Sequence, residues 1–420
     1  MRAKVAGAKS RGVAAAGDRF VRPARPDSFG AGRTAEWLPG DTKRVDLAEV
    51  SSVLFVTQVE VDADSGNARH VRALVSALTA AGTPVELLAP GADRSRLREP
   101  PPGARLEALL AARVILRARV TRPDLGYLRL SASTSFTAAA FRVAGVPYLL
   151  ELNGPVLDQL RARGRPEWVV ATAKRSLAWV VRESRGVVVP SPALERHARV
   201  ELGADRVFVV ENGVDLEVVV PGDRALARKR LGLPLDRTFV TLVATLTPEL
   251  RLDLLGEACS RLDKTGLLIV GDGFRAGEVQ DLVRRATPER PVIALGARPH
   301  AEAVLAMQAG DVCVNPHDSD LALKGLEYAA AGRRQACFFV PGIERLAGLY
   351  SGLDGVVVAS ESSGESLRGA LSKALLAERA FGPLPADAVA RARAELGWEK
   401  KAERLLSIFD RTLAESPARR

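Results

Sequence analysis

The sequence predicts an α/β protein of two doubly wound, Rossmann-like domains facing each other across a cleft, with a C-terminal helix crossing back to the first domain. Three observations predict it. Short β-rich apolar runs alternate with segments of helical periodicity. That alternation starts twice, at SSVLFVTQV (51–59) and again at TFVTLVATL (238–246). And 420 residues, 47% of them hydrophobic, exceed what a single core usually serves. The divisions expected are a basic tail at 1–48, a first domain at 49–208, a second at 209–390, and a crossover helix and tail at 391–420.

The first run is followed by a loop, DADSGNAR, and by HVRALVSALTAAG, whose apolar residues recur at helical spacing up to Gly82. PVELLAP returns as a strand. Strand, helix, strand is a βαβ unit, whose right-handed crossover makes the sheet parallel. ARVILRARV reads as helix, PDLGYLRL as strand, TSFTAAAFRVAG as helix and VPYLLELN as strand. A helical region at roughly 166–184 precedes the strand GVVVPS, the helix SPALERHARVELG and the β-run RVFVVENGVD, which stops at the turn dipeptide Asn212-Gly213. VVVPGDRALARKRLGLPLD, rich in proline and charge, reads as the connection. Beyond it come DLLGEACSRL (helix), GLLIVGDG (strand), GEVQDLVRRA (helix), PVIALG (strand), HAEAVLAMQAG (helix) and DVCVNP (strand). ELGWEKKAERLLSIFDRTL closes the chain as one helix with Leu405, Leu406, Ile408, Phe409 and Leu413 on one face.

Doubly wound folds bind ligands at the C-terminal edges of their strands, so chemistry is sought in the loops that follow them. Residues 317–334, HDSDLALKGLEYAAAGRR, place Lys324 and Glu327 three apart on one face at the opening of a helix. Unpaired N–H groups and partial positive charge there suit a phosphate, and a carboxylate can accept two hydrogen bonds from a sugar diol. An amphipathic helix with an ordinary ion pair satisfies the same spacing. DSGNAR supplies Gly66 at a strand-to-helix turn, where backbone amides can approach an anion. GDGFR is a similar turn without a dinucleotide fingerprint. ENGVD combines a turn with carboxylates at the domain junction, and Asn153 ends the strand ELNGP as a polar amide. His70, His197, His300 and His317 are dispersed and read as surface or capping residues.

Composition narrows the classes. The formal net charge is +10, of which residues 1–33 hold eight Lys/Arg against Asp18 and Asp27, leaving +4 for the rest. A basic arm suited to an anionic membrane surface accounts for this, and with only 5% aromatic residues and no basic stripe in the folded part, no nucleic-acid partner is expected. Cys259, Cys313 and Cys337 form no CxxC pair, so neither disulfides nor a zinc site is expected and a cytoplasmic setting fits. No run of about 18 apolar residues is present to span a membrane, and the charged N-terminus does not read as a secretory signal.

Taken in order, PDLGYLRL with GVPYLLELNGP, VVVPSPAL with RVFVVENGVD, LLIVGDG, LKGLEYAAAG before PGIERL, and GWEKKAERLLSIF resemble the retaining nucleotide-sugar glycosyltransferases of family 4, which have the two-Rossmann GT-B fold. The resemblance runs from about Ser51 to Leu413. It implies a metal-independent transfer of a sugar from a nucleotide-diphosphate donor to a glycan, lipid or small-molecule acceptor. Glu327 would hold the donor ribose, the amides around Gly325 and Leu326 would face the diphosphate, and Lys324 matches a basic position of the motif. Gly66 and Asn67 match the loop that touches the distal phosphate. Asn153 stands near the transferred sugar, and Tyr127 and Arg129 on the acceptor side. The departures lie in VATLTPELRLD: the family's leaving-group arginine and lysine fall on Thr245 and Leu250, with Arg251 as the replacement expected to point into the cleft. The first glutamate of the acidic pair falls on Ser319, flanked by Asp318 and Asp320. A glycosyltransferase-like subunit or scaffold without catalysis is the alternative that these departures imply.

Overall fold

The computed structural model describes residues 50–63, 65–90, 103–318 and 323–415. The basic arm, Ser319 and Asp320 lie outside the described residues. In the first half, β1 (Val53–Val56), β2 (Val85–Leu88), β3 (Leu125–Arg129), β4 (Tyr148–Glu151), β5 (Val187–Val189) and β6 (Val207–Val209) form one sheet. All its pairings are parallel, in the order β2-β1-β3-β4-β5-β6. Helices α1 (Gly66–Ala80), α2 (Gly103–Thr121), α3 (Ser135–Val143), α4 (Val156–Ala162), α5 (Glu167–Glu183) and α6 (Pro192–Leu202) connect the strands. β1, β3, β4 and β5 are buried along their whole length because helices cover both faces, which is why they read as unbroken apolar runs.

The second sheet is also six-stranded and parallel. It contains β7 (Thr238–Val243), β8 (Thr265–Val270), β9 (Val292–Ala294), β10 (Val312–Asn315), β11 (Gln335–Phe338) and β12 (Val356–Ala359), in the order β12-β11-β10-β7-β8-β9. Its helices are α7 (Arg224–Leu231), α8 (Leu252–Ser260), α9 (Ala276–Arg284), α10 (His300–Ala309), α11 (Leu323–Ala330), α12 (Ile343–Gly348), α13 (Gly364–Phe381) and α14 (Ala386–Leu396). In each sheet the strand order reverses beside the first strand, between β1 and β3 and between β7 and β10. Those reversals open the crevices where such sheets take ligands.

Two departures from the sequence expectation have local causes. The proline-rich connection contains a helix, α7: the Asp223 side chain accepts from Leu226 N at 2.7 Å to cap its start, and Gly232 ends it at φ +66°. The closing segment is two helices, with α15 (Trp398–Ala414) beginning after Gly397. Gly397 is extended, Val214 N donates to Leu396 O at 2.7 Å, and a Cβ on Gly397 would meet Leu216 Cδ1 at 2.9 Å, so the chain bends where it crosses the junction.

From that bend α15 returns to the first domain. Leu405, Ile408 and Phe409 are buried in one cluster with Val53, Phe55, Val71, Leu74 and Tyr127. The Phe409 and Tyr127 rings lie 5.4 Å apart. Burial of each such side chain contributes about 1.5–3 kcal/mol, so the crossover helix is an integral part of the first domain's core. Among the described residues, no helix is long and apolar enough to cross a membrane.

Candidate functional site

Both crevices open onto one cavity of about 340 Å³. The first domain contributes Gly66, Arg69 and His70 from the start of α1. The second contributes Thr245 and Thr247 after β7, Asn315 and His317 at and after β10, and His300, Lys324 and Glu327. Gly213, Asp215 and Trp398 close it at the junction. Gly213 is needed there, because a Cβ would fall 2.5 Å from the Trp398 ring. A larger cavity of about 630 Å³ between α8 and α9 has no strand C-terminus among its lining residues, so it lies away from the edge where such sheets take ligands.

On the second-domain wall, Glu327 is buried at 5% exposure. Lys324 Nζ pairs with its Oε2, and His300 Nε2 lies 3.3 Å from its Oε1. Burial alone would raise this carboxyl, but His300 and Lys324 outweigh it and hold the group below its ordinary range. Gly325 and Leu326 are buried behind Lys324, and neither lines the cavity. Gly325 is held by Gln335, whose Nε2 donates to its carbonyl at 2.8 Å.

The first-domain wall is built on Glu151, at 1% exposure. Its Oε1 is 2.9 Å from His70 Nε2 and 3.8 Å from Lys401 Nζ, and its Oε2 accepts from Arg129 Nη1 at 2.9 Å. Arg129 Nη2 also donates to Asn67 Oδ1 at 3.1 Å, and Lys401 to Asn212 Oδ1 at 3.1 Å. The Trp398 ring stands edge-on to His70, with centroids 5.1 Å apart. Burial pushes His70 down to about 4 against the pull of Glu151, and pushes Lys401 down to about 8. At neutral pH His70 is therefore uncharged, with Nε2–H donated to an ionised Glu151 and Nδ1 left as an acceptor.

The structure thus brings Gly66, Thr245, Lys324 and Glu327 together, and sets Asn67 and Arg129 in the network behind His70. Asn153, two residues past β4, does not line the cavity; its amide oxygen and nitrogen are buried without a partner among the described residues. Two expectations are corrected, at Tyr127 and at Arg251. Tyr127 is not on an acceptor surface, since it is fully buried between Phe55 and Phe409. Leu250, where the sequence already lacked a cation, is fully buried in the second domain's core. Arg251 does not line the cavity: it grips Asp253 at 2.8 and 3.1 Å and Asp318 at 2.8 Å, and those hydrogen bonds raise its already high pKa. The histidines read as surface groups are a third correction, because His70, His300 and His317 all reach the cavity. They come from α1, from the start of α10 and from the turn after β10, so spacing along the chain gave no sign of their convergence.

Two family models match the chain, Glycosyltransferase Family 4 over residues 65–218 and Glycosyl transferases group 1 over residues 237–376. D-inositol 3-phosphate glycosyltransferases of Mycobacterium tuberculosis and Mycobacterium bovis are 28% identical over 249 residues, covering 57% of this chain and 52% of theirs. The chain spans about half the length of the curated relatives it matches. Among solved structures, sucrose-phosphate synthase from Thermosynechococcus elongatus superposes with a TM-score of 0.67 at 19% identity, over 87% of this chain and all of that one. Anabaena HepE in complex with UDP does so at 0.63 and 17% identity, over 85% of this chain and 99% of that one. A glycosyltransferase from Rickettsia africae gives 0.66 at 13% identity, over 87% of this chain and all of that one.

Proposed function

We propose that this chain, which belongs to glycosyltransferase family 4 and has the GT-B fold, moves a sugar from a nucleotide diphosphate to an acceptor hydroxyl with retention of configuration. The observation that supports this most is the cavity in which the starts of α1 and α11 converge with Lys324 and Glu327. Two helix N-termini offer N–H groups and partial positive charge to a diphosphate. Glu327 would exchange the Lys324 contact for the ribose diol, freeing Lys324 for the phosphates. Arg69 and Lys324, the Arg and Lys side chains lining the cavity, then stand where Thr245 and Leu250 have left none. This charge arrangement does not call for a metal ion.

Retention follows from where the acceptor proton goes. The sugar–phosphate bond breaks as the acceptor oxygen bonds to the same carbon, and the departing phosphate takes the hydroxyl proton on the face the acceptor enters. His70, uncharged in the folded protein, is not required as the base for this step. It instead offers Nδ1 to an acceptor hydroxyl. The acceptor is a glycan, a lipid or a small molecule. The name of the inositol phosphate relatives favours the last, and HepE's UDP makes a uridine donor the first to test. The protein would work in the cytoplasm, with the basic arm holding it near anionic head groups of the inner membrane face.

A second reading, a non-catalytic glycosyltransferase-like subunit, is favoured by Arg251, which is engaged by two aspartates outside the cavity. Calorimetry against UDP, GDP and their sugars, followed by NMR of the product anomer, separates the two. Turnover with the donor's anomeric configuration kept supports the enzyme. Nucleotide binding without hydrolysis or transfer to any acceptor class favours the subunit, and an inverted product removes the retaining mechanism.

A further inference from the structure

On the sheet edge opposite the donor cavity, α11 ends and the chain turns through Ala331 and Gly332 into β11. A cavity of about 630 Å³ opens there between the starts of α7 and α14. Arg224, Arg333 and Arg393 line it. Behind them Arg224 bridges Asp311 at 2.8 Å and Glu378 at 3.1 Å, Arg228 shares Asp311 at 2.6 Å, and Arg334 shares Glu378 at 2.5 Å. Two carboxylates therefore serve three guanidiniums before Arg333 and Arg393 are considered.

Neither of those two has a carboxylate partner among the described residues. Arg393 is spent on main-chain carbonyls, those of Val219, Leu216 at 2.7 Å and Ala330 at 3.0 Å. Arg333, only 7% exposed, donates to the Gly222 carbonyl, and its Nε has no partner. Burial weakens its hold on the proton more than the nearby charges of Glu378 and Asp311 restore it. A buried, uncompensated charge is costly. Pro385 gives the start of α14 no side-chain cap, and the Asp387 carboxylate in its first turn accepts from Ala388 N and pairs with Arg391 at 2.6 Å. Asp223, at the exposed rim, is occupied in capping α7.

We propose that this cavity binds a small phosphate-bearing anion, placed between Arg333 and the start of α14 and separate from the donor site. Arg333 and Arg224 supply the charge, and Arg393 adds to the field. The site stands at the C-terminal end of α11, and the donor carboxylate Glu327, three residues before that end, lines a different cavity. It does not depend on the function proposed above.

Inorganic phosphate and pyrophosphate are the probes, read by calorimetry and thermal denaturation of the full chain. The variants are Arg333→Gln, Ala390→Glu and Lys324→Gln. Ala390 is exposed on α14 and lines the cavity, so a glutamate there supplies a tethered carboxylate without disturbing the core. Saturable phosphate binding that raises Tm by several degrees in the native protein and in Lys324→Gln is expected. It should weaken at least tenfold in Arg333→Gln and Ala390→Glu, and Ala390→Glu serves alone should the first fail to fold. Binding lost in Lys324→Gln but intact in Ala390→Glu would put the anion in the donor cavity and overturn the proposal. So would the absence of saturable binding in the native protein. UDP titrated in parallel decides the donor reading independently.

Discussion

The two walls of the cleft each hold a buried carboxylate, and they hold it in opposite ways. Glu151 is fixed by groups far apart in the chain, His70 on α1, Arg129 on β3 and Lys401 on α15, all themselves largely buried. Glu327 is met by Lys324 one turn away on the same helix and by His300, and the Lys324 side chain is 25% exposed to the cavity. Breaking the first arrangement strands two desolvated cations. Breaking the second releases a lysine to solvent or to a ligand. The first wall is therefore framework, and the second is an internal pair that a ligand can replace.

The largest test of this contrast is Glu151→Ala. Leaving Arg129 and Lys401 without their carboxylate should cost about 3–5 kcal/mol, measured by denaturant unfolding. A loss below about 1 kcal/mol would show that water or rearrangement compensates them and that the wall is not framework. Acid should attack the same wall. His70 is near 4 in the folded protein and 6.5 when free, so the unfolded chain binds more protons between those values and stability must fall as pH falls from 6.5 to 4. The full window is worth about 3 kcal/mol. Unfolding followed across it should show that slope, flattened in His70→Gln; an equal slope in both would assign the acid sensitivity elsewhere.

On the donor wall the balance should reverse. Glu327→Ala is expected to lower nucleotide affinity by about 1.5–3 kcal/mol while changing unfolding free energy by about 1 kcal/mol or less, by calorimetry and denaturation on the same preparation. A stability loss as large as that at Glu151 would make Glu327 a framework residue too. The smallest effect is expected at Arg251→Ala, a half-exposed side chain held by Asp253 and Asp318. Turnover should change by about threefold or less. A drop of about 10²-fold would mean that the side chain leaves its aspartates when donor binds and acts as the missing leaving-group cation.

Much of the fold was legible because parallel strands buried on both faces leave unbroken apolar runs, as in VLFV, LLIV and VCVN, punctuated by glycine and asparagine turns. Lys324 and Glu327 were legible because helical spacing alone puts them on one face. What escaped was whatever depends on distant chain segments meeting. VGDG and PGDRAL carry similar turn residues, yet only in the second does the aspartate cap a helix, through Leu226 N, and α7 carries no apolar stripe to announce it. The closing helix kept its periodicity through Gly397, so the bend there is set by Leu216 and Trp398 rather than by local preference. Arg251 was misjudged because its second aspartate, Asp318, is 67 positions away. Tyr127 was misplaced because the ring of Phe409, which buries it, arrives from α15.

That last helix also bears on how the protein is made. A chain emerging from the ribosome builds β1 to β6 early, but the face of that sheet carrying Phe55 and Tyr127 is covered by α1 alone until Leu405, Ile408 and Phe409 have been synthesised, some 200 residues later. Through that interval the nascent first domain exposes an apolar surface that the mature protein never shows. The second domain, which closes its own core, can fold meanwhile. The second-domain half of the cleft is thus finished before the first-domain half, and the last step of maturation is the return of α15.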